Sequence, residues 1–171
     1  MNPMQNIKVE KVTVNIGCGK DQTKLDKAVK LVKMIVGKDP VKTISDKRIP
    51  EWGLRPGLPI GCKITLRKQP AIELLKRVLH ARNNMLTDNA FNESGTVSFG
   101  ITEYIDIPGV KYDPEIGVMG LQVCATLERP GFRVKRRRRA SSAIPAPHRI
   151  TKEQAIEYVT KAFNIKVGAA E

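Results

Sequence analysis

The chain has 171 residues, with 30 lysines and arginines against 17 aspartates and glutamates and a net charge of +13. A hydrophobic content of 41% argues against a disordered basic tail and suits one folded domain over residues 1–171. No apolar run is long enough to cross a membrane, and the N-terminus lacks the apolar core expected of a signal peptide.

The first third of the chain predicts strand, helix, strand and loop, in that order. Residues 7–16 alternate between apolar and polar as in a half-buried strand, with a slip of phase at Glu10-Lys11 that predicts a β-bulge. A helical stripe of apolar residues then covers 25–36 and stops at a glycine, and a short strand near 41–45 follows. The loop 46–59 is rich in proline, glycine and arginine.

The rest of the chain predicts three more strands and two more helices. A strand at 60–67 leads into a helix from Pro70 to about Asn84, and further strands lie at 96–101 and 120–127. The last helix opens with the capping box Thr151-Lys-Glu-Gln and runs to about residue 163. Half-buried strands between amphipathic helices favour an α+β fold, in which an antiparallel sheet has helices packed on one face and the other face open for RNA.

The residues on the polar phase of the strands predict the chemistry of that open face. Most of them have short side chains or none, Lys63 and Arg67 lie at the edge, and carboxylates are nearly absent. The residues are Thr13, Asn15, Gly17, Gly61, Lys63, Thr65, Arg67, Thr96, Ser98, Gly100, Gln122 and Thr126. Small donors and exposed backbone allow close approach to ribose and phosphate in the shallow groove of folded RNA. Aromatic residues make up only 5% of the chain, and Phe99 shares the phase of the core, so a base-stacking platform on the sheet is not expected. A plain solvated face is the alternative.

A second candidate interface is the basic segment 129–150. Six of the seven residues at 133–139 are basic, and no acidic residue lies between Arg129 and Arg149, so their mutual repulsion favours a polyanionic partner. We expect this segment to have little fixed structure alone and to order against a nucleic acid. The alternatives are a solvated tail or a nuclear-import signal. The candidate contact residues are Arg133, Lys135, Arg136, Arg137, Arg138, Arg139 and Arg149.

Several motifs that could carry catalysis or metal binding are incomplete. The turn Gly17-Cys-Gly-Lys lacks the third glycine of a dinucleotide loop and the Ser or Thr of a Walker loop. His80 and His148 have no Ser or Cys nucleophile nearby in sequence, and the acids around 106–115 suit turns. The three cysteines are far apart and form no CxxC pair, so we expect reduced thiols with packing roles and no metal. We therefore expect no enzyme and no cofactor.

Several longer sequence motifs of the chain resemble those of a known protein family. They are Val14-Asn-Ile-Gly-Cys-Gly, Arg55-Pro-Gly-Leu-Pro-Ile-Gly-Cys-Lys-Ile-Thr-Leu-Arg, Ser98-Phe-Gly-Ile, Tyr112-Asp-Pro-Glu-Ile-Gly, Glu128-Arg-Pro-Gly-Phe-Arg-Val and His148-Arg-Ile-Thr-Lys-Glu. Together they resemble the L5 family of large-ribosomal-subunit proteins, which bind 5S rRNA, and in particular its archaeal branch. The resemblance extends to about residue 167.

The resemblance implies a structural component of the cytoplasmic ribosome. Its expected partners are 5S rRNA in the central protuberance, large-subunit rRNA, P-site tRNA, other central-protuberance proteins and, across an inter-subunit bridge, proteins of the small-subunit head. A free RNA-binding translational regulator or RNA chaperone is the alternative.

The resemblance and the face argument together assign candidate residues to two surfaces. For 5S rRNA these are Asn15, Gly17, Thr43, Lys63, Thr65, Arg67 and Ser98, and for the tRNA-facing loop they are Lys47, Arg48, Arg55 and Gly57. The sequence departs from the family where it reads Ile44-Ser-Asp, at Lys68, where a glycine is usual, and at Glu51, which places an acid in the loop.

Overall fold

The computed structural model describes residues 2–168 and has an α+β fold, as the sequence predicts. Its main sheet has five antiparallel strands in the order β2-β3-β1-β6-β5. The elements are β1 (Lys8–Gly17), α1 (Gln22–Val36), β2 (Val41–Ile44), β3 (Pro59–Arg67), α2 (Gln69–Ala81), β4 (Met85–Thr87), β5 (Thr96–Ile101), β6 (Leu121–Glu128), α3 (Lys152–Phe163) and β7 (Lys166–Gly168).

Local sequence signals explain where most of these elements begin and end. The register of β1 against β6 shifts between Val9 and Lys11, which confirms the predicted bulge. Gly37 ends α1 in the left-handed conformation, with φ of 73°. Thr151 caps α3, and Gln154 completes the predicted capping box.

The structure corrects one expectation in the middle of the chain and adds two strands that the sequence did not predict. Helix α2 stops at Ala81 instead of reaching Asn84, because Asn83 and Asn84 have positive φ angles of 53° and 54° that no helix continues. The backbone carbonyl of Asn84 then accepts a hydrogen bond from the Lys166 amide at 2.9 Å. Strands β4 and β7, which the sequence pattern did not indicate, pair in parallel at this point as a separate two-stranded sheet.

The core lies on one face of the main sheet. Helices α1 and α2 pack against β1 and β3 there, and their buried residues follow the predicted stripes. Apolar residues of the strands point into the same layer, and Val12, Val32, Cys62, Val78 and Val123 are fully buried. Phe99 is partly buried against this core, in agreement with its phase. Among residues 2–168, no helix combines the length and the apolar character needed to cross a membrane.

Candidate nucleic-acid interface

The polar phase of the strands forms a continuous surface on the face opposite α1 and α2, which we call the open face. Cross-strand pairing arranges its residues in rows, so that their positions follow from the register. The rows are Thr43-Gly61-Gly17, Lys63-Asn15-Gln122-Gly100, Thr65-Thr13-Cys124-Ser98 and Arg67-Lys11-Thr126-Thr96. The sequence-predicted 5S rRNA residues therefore lie together on one surface.

The side chains of the open face are accessible and have few internal partners. Lys63, Thr65, Arg67 and Ser98 are exposed, and Asn15 is half-buried between its neighbours. The Thr13 and Thr65 hydroxyls lie 3.3 Å apart, and the Asn15 amide donates a long hydrogen bond of 3.4 Å to Gln122. No helix of residues 2–168 covers these rows, so their remaining hydrogen-bonding capacity faces solvent.

Gly61 does not contribute the exposed backbone that its phase predicts. It is buried, and a Cβ at this position would lie 2.5 Å from the Ile16 carbonyl oxygen and 3.0 Å from the Thr43 hydroxyl. The absence of a side chain thus allows the β1 backbone at Ile16 and the Thr43 side chain of β2 to approach Gly61 closely. Gly17, its partner in the row, is exposed and has no neighbouring atom within 4 Å of a Cβ built there, as expected for an accessible backbone position.

The loop 46–59 lies beyond the end of β2 and is more regular than its composition suggests. Ile49 and Leu54 form an isolated antiparallel bridge, and Pro50–Trp52 forms a 3-10 turn between them. Buried Ser45 anchors the start of the loop, because its hydroxyl donates to the Lys47 carbonyl at 2.8 Å. The candidate tRNA-facing residues are all exposed: Lys47, Arg48, Arg55 and Gly57.

The basic segment 129–150 does have a counter-charge, contrary to the expectation from its sequence. The Arg136 guanidinium donates to the carboxylates of Glu10 and Glu128, which lie at the bulge of β1 and the end of β6. Glu10 is 126 residues away from Arg136 in the sequence, and Glu128 belongs to β6, outside the basic run. Inspection of the basic run alone could therefore not reveal either acid. The contact holds the segment against the end of the main sheet.

Six exposed cations of this segment are available to a partner. Arg133, Lys135, Arg137, Arg138, Arg139 and Arg149 are exposed, and within residues 2–168 none has a carboxylate within 4.0 Å. Arg137 and Arg149 donate through Nε to the carbonyls of Ala140 and Ile144, at 2.7 Å and 3.1 Å, which directs the two side chains along the segment. The segment contains two 3-10 turns, at Phe132–Lys135 and Ala146–His148.

Sequence reasoning missed one buried cation at the start of this segment. Arg129 is 7% exposed and donates through Nη2 to the Gln154 side-chain oxygen at 2.8 Å, which joins the end of β6 to the start of α3. The sequence offered no signal for this role, because Arg129 reads as one more cation of a basic stretch. Gln154 therefore serves both the capping box and this contact.

Two of the groups considered for catalysis, His148 and Asp113, have structural partners. A His148 ring nitrogen lies 2.8 Å from the Pro130 carbonyl oxygen, and the ring packs edge-on against Phe132. The Asp113 carboxylate accepts a hydrogen bond from the Glu115 amide at 2.9 Å, which confirms its predicted turn role. Burial raises the pKa of the Cys62 thiol to about 11 and also raises the pKa of Cys18.

The third cysteine departs from its expected role. Cys18 and Cys62 are buried, as packing residues should be, and both are free thiols. Cys124 is only partly buried and lies in a row of the open face, between Thr13 and Ser98. It therefore lies on the surface that the sequence predicts to meet RNA.

Fold and interface together define an α+β protein with one helix-covered sheet face and one polar, carboxylate-poor face next to two cationic segments. The family model described as "Ribosomal protein L5" matches residues 2–55, and the model for the C-terminus of the same ribosomal family matches residues 59–158. The chain belongs to the ribosomal protein L5 family, which confirms the resemblance read from its motifs. Proteins of this family have a structural and non-enzymatic role in the ribosome, which confirms that the chain is not an enzyme.

Archaeal proteins are similar to this chain over nearly their whole length. The Large ribosomal subunit protein uL5 of Sulfolobus acidocaldarius is 48% identical over 166 residues, which cover 97% of this chain and 93% of that protein. The protein of the same name from Nanoarchaeum equitans is 46% identical over 167 residues, which cover 97% of this chain and 98% of the relative. This similarity agrees with the archaeal character of the C-terminal motifs.

Proposed function

We propose that this protein is a structural component of the large subunit of the cytoplasmic ribosome and binds 5S rRNA with its open face. The observation that carries the proposal is the uncovered position of Asn15, Thr65 and Ser98 in adjacent rows of the sheet. Lys63 lies in the same row as Asn15 and Arg67 lies in the row beyond Thr65, and both add positive charge to this surface.

The dimensions and chemistry of the open face suit a folded RNA. Five strands spaced by about 4.8 Å give a surface about 19 Å across, and its short side chains leave the surface low. The minor groove of an RNA helix is wide and shallow and displays 2′-hydroxyls, which both donate and accept hydrogen bonds. Hydroxyl and amide groups such as those of Thr65 and Asn15 pair with ribose, while Lys63 and Arg67 pair with phosphates.

The basic segment adds affinity for RNA but no specificity for its nucleotide sequence. Arg136 fixes it at the end of the sheet, so the six cations without a carboxylate partner are held near the RNA that the open face binds. Each phosphate contact releases condensed counterions, which makes the interaction salt-dependent. We propose that this segment contacts rRNA through Arg133, Lys135, Arg137, Arg138, Arg139 and Arg149 and becomes fully ordered there.

The remaining surfaces are assigned to other partners. We propose that the loop 46–59 faces P-site tRNA through Lys47, Arg48, Arg55 and Gly57, all of which are exposed. Other central-protuberance proteins and, across an inter-subunit bridge, the small-subunit head are the further partners that the family relationship suggests. We also propose that residues 1–171 act as one domain, since β1 and β2 share a sheet with β3, β5 and β6.

Salt dependence of 5S rRNA binding tests the electrostatic part of the proposal. If about six phosphates are neutralised, the affinity should fall by about three decades between 50 and 200 mM salt. Replacement of Arg137, Arg138 and Arg139 by Gln should weaken binding to all RNAs alike and lower the salt slope by about three. A control on the other side of the sheet is the pair Lys24→Gln and Lys27→Gln on α1, which should change the slope little. An affinity that stays flat over this salt range would refute the mechanism.

A second pair of variants tests recognition by the open face. The double variant Thr65→Val and Arg67→Gln should reduce the preference for 5S rRNA over an unrelated RNA duplex, because it removes exposed contacts without touching the core. The triple arginine variant should leave that preference intact. Equal loss of preference in both variants would contradict the division of roles between the open face and the basic segment. An unchanged preference in the Thr65 and Arg67 variant would show that these residues do not recognise 5S rRNA.

A further inference from the structure

Trp52 is the single tryptophan of the chain, and it lies at the tip of the loop 46–59 with 65% of its surface exposed. An exposed indole leaves a large apolar area in water and adds nothing to the core of the free protein. Isolated exposed apolar residues are common, so exposure alone assigns no role. The local backbone and charge around Trp52 are more informative.

The loop holds Trp52 in a defined position. The amides of Ile49 and Leu54 each donate to the carbonyl of the other, at 3.1 Å and 3.0 Å, and the Gly53 amide donates to the Pro50 carbonyl at 2.9 Å. Gly53 has a φ of 66°, which favours glycine, and Leu54 is buried with 8% exposure. The tip is therefore anchored from below, and ordering the indole on a partner costs little backbone entropy.

The loop that carries the ring is rich in cations. Lys47, Arg48 and Arg55 lie exposed on the same loop, and the Lys20 side chain reaches to within 3.5 Å of a Cβ built on Gly53. The loop contains three cations and two acids, Asp46 and Glu51, so it is net positive, and Lys20 adds a fourth cation beside it. An exposed aromatic ring on a cationic loop fits a polyanion with accessible bases better than it fits an apolar protein surface.

We propose that Trp52 stacks on an unpaired base of the tRNA that the loop 46–59 faces, an inference that rests on the function proposed above. A base inside a duplex is covered on both sides, so the stacked base must be one that the fold of the tRNA leaves open. The open face has no exposed aromatic side chain within residues 2–168 and recognises shape and backbone. The two surfaces thus use different chemistry, with stacking confined to the loop.

The single tryptophan makes this proposal directly measurable in the full-length protein. Folded tRNA and 5S rRNA are titrated separately, with binding followed by filter retention and Trp52 emission recorded at each point. At saturation, tRNA should quench the emission and shield the indole from acrylamide, whereas 5S rRNA should leave both unchanged. The Trp52→Ala variant should lose roughly 5- to 150-fold in tRNA affinity, and Trp52→Phe should retain most of it. Val118→Ala, which removes an equally exposed apolar side chain elsewhere, is the matched control and should bind as the wild type does.

The possible results separate this inference from the function on which it rests. If tRNA binds with unchanged emission and Trp52→Ala keeps wild-type affinity, the stacking proposal is overturned while 5S rRNA binding stands. If 5S rRNA quenches the emission and tRNA does not, the ring belongs to the 5S interface and the proposal is equally overturned. If neither RNA binds the wild-type protein, the proposed function itself fails.

Discussion

Replacement of Arg136 by Gln should detach the basic segment from the sheet and destabilise the protein. In the wild-type chain, the Arg136 guanidinium bridges Glu10 and Glu128, whose side chains are only 12% and 14% exposed. Without it, two nearly buried carboxylates lie close together with less compensation. Lys8 remains 3.2 Å from Glu128, and Lys11 remains 3.9 Å from Glu10, so the loss is partial.

The magnitude follows from the intermediate burial of this cluster. Exposed ion pairs contribute about 0–1 kcal/mol, whereas removal of one partner of a buried pair costs about 3–5 kcal/mol. Arg136 itself is 47% exposed, and two lysines compensate in part, so we expect a loss of about 1–2 kcal/mol for the variant. For a chain of this length, this corresponds to a fall of about 3–6 °C in Tm.

Urea denaturation provides the assay, with a double-mutant cycle to isolate the interaction. The cycle combines Arg136→Gln with the double variant Glu10→Gln and Glu128→Gln, in which the loss of Arg136 should cost little. Arg138→Gln is the matched control, because Arg138 is exposed and has no carboxylate partner within the part of the chain described, and it should change stability by less than about 0.5 kcal/mol. Arg136→Gln should also accelerate tryptic cleavage at 137–139. Equal stability of the Arg136 and Arg138 variants would refute the reasoning.

Three further predictions concern the sheet and its core. Lys68 has a φ of 60° and a ψ of −142°, a backbone conformation that favours glycine. Lys68→Gly should therefore raise the free energy of unfolding by about 0.5–2 kcal/mol, while Lys68→Ala should not raise it. Chemical denaturation of both variants checks this prediction. Gly61→Ala should destabilise by about 1–3 kcal/mol, since the new Cβ would lie 2.5 Å from the Ile16 carbonyl oxygen, and a wild-type Tm would contradict the close approach of β1 to Gly61. Burial raises the pKa of Cys62 from its usual value of 9.0 to about 11, so the folded protein favours the neutral thiol. The contribution of the buried neutral thiol to stability is full below pH 9 and is lost as the pH rises towards 11. The stability difference between the wild type and Cys62→Ala should shrink over that window and stay constant below it.

Most of the main fold could be predicted because its signals are local. The alternation along β1, β3, β5 and β6 sets which residues face the core, and the slip of phase at Glu10 gives the bulge. The capping box at Thr151 fixes the start of α3 within one residue. The small sheet of β4 and β7 could not be predicted, because each strand has only three residues and the pairing joins distant parts of the chain.

The candidate site was predictable in part for the same reason. Membership of the open face follows from the strand phase, and the register then brings Asn15, Thr65 and Ser98 into neighbouring rows. The pairing of Arg136 with Glu10 spans 126 residues of sequence and depends on the tertiary fold. Trp52 was visible in the sequence, but its exposure depends on how the loop 46–59 folds back on itself.

Alkylation of Cys124 in the presence and absence of 5S rRNA tests the role of the open face most directly. Cys124 is partly exposed on that face, between Thr13 and Ser98, while Cys18 and Cys62 are buried thiols with raised pKa values that serve as internal references. We predict that iodoacetamide labels Cys124 in the free native protein and that saturating 5S rRNA protects it. An unchanged rate of Cys124 labelling in the saturated complex would show that the RNA binds elsewhere and would contradict the proposed interface.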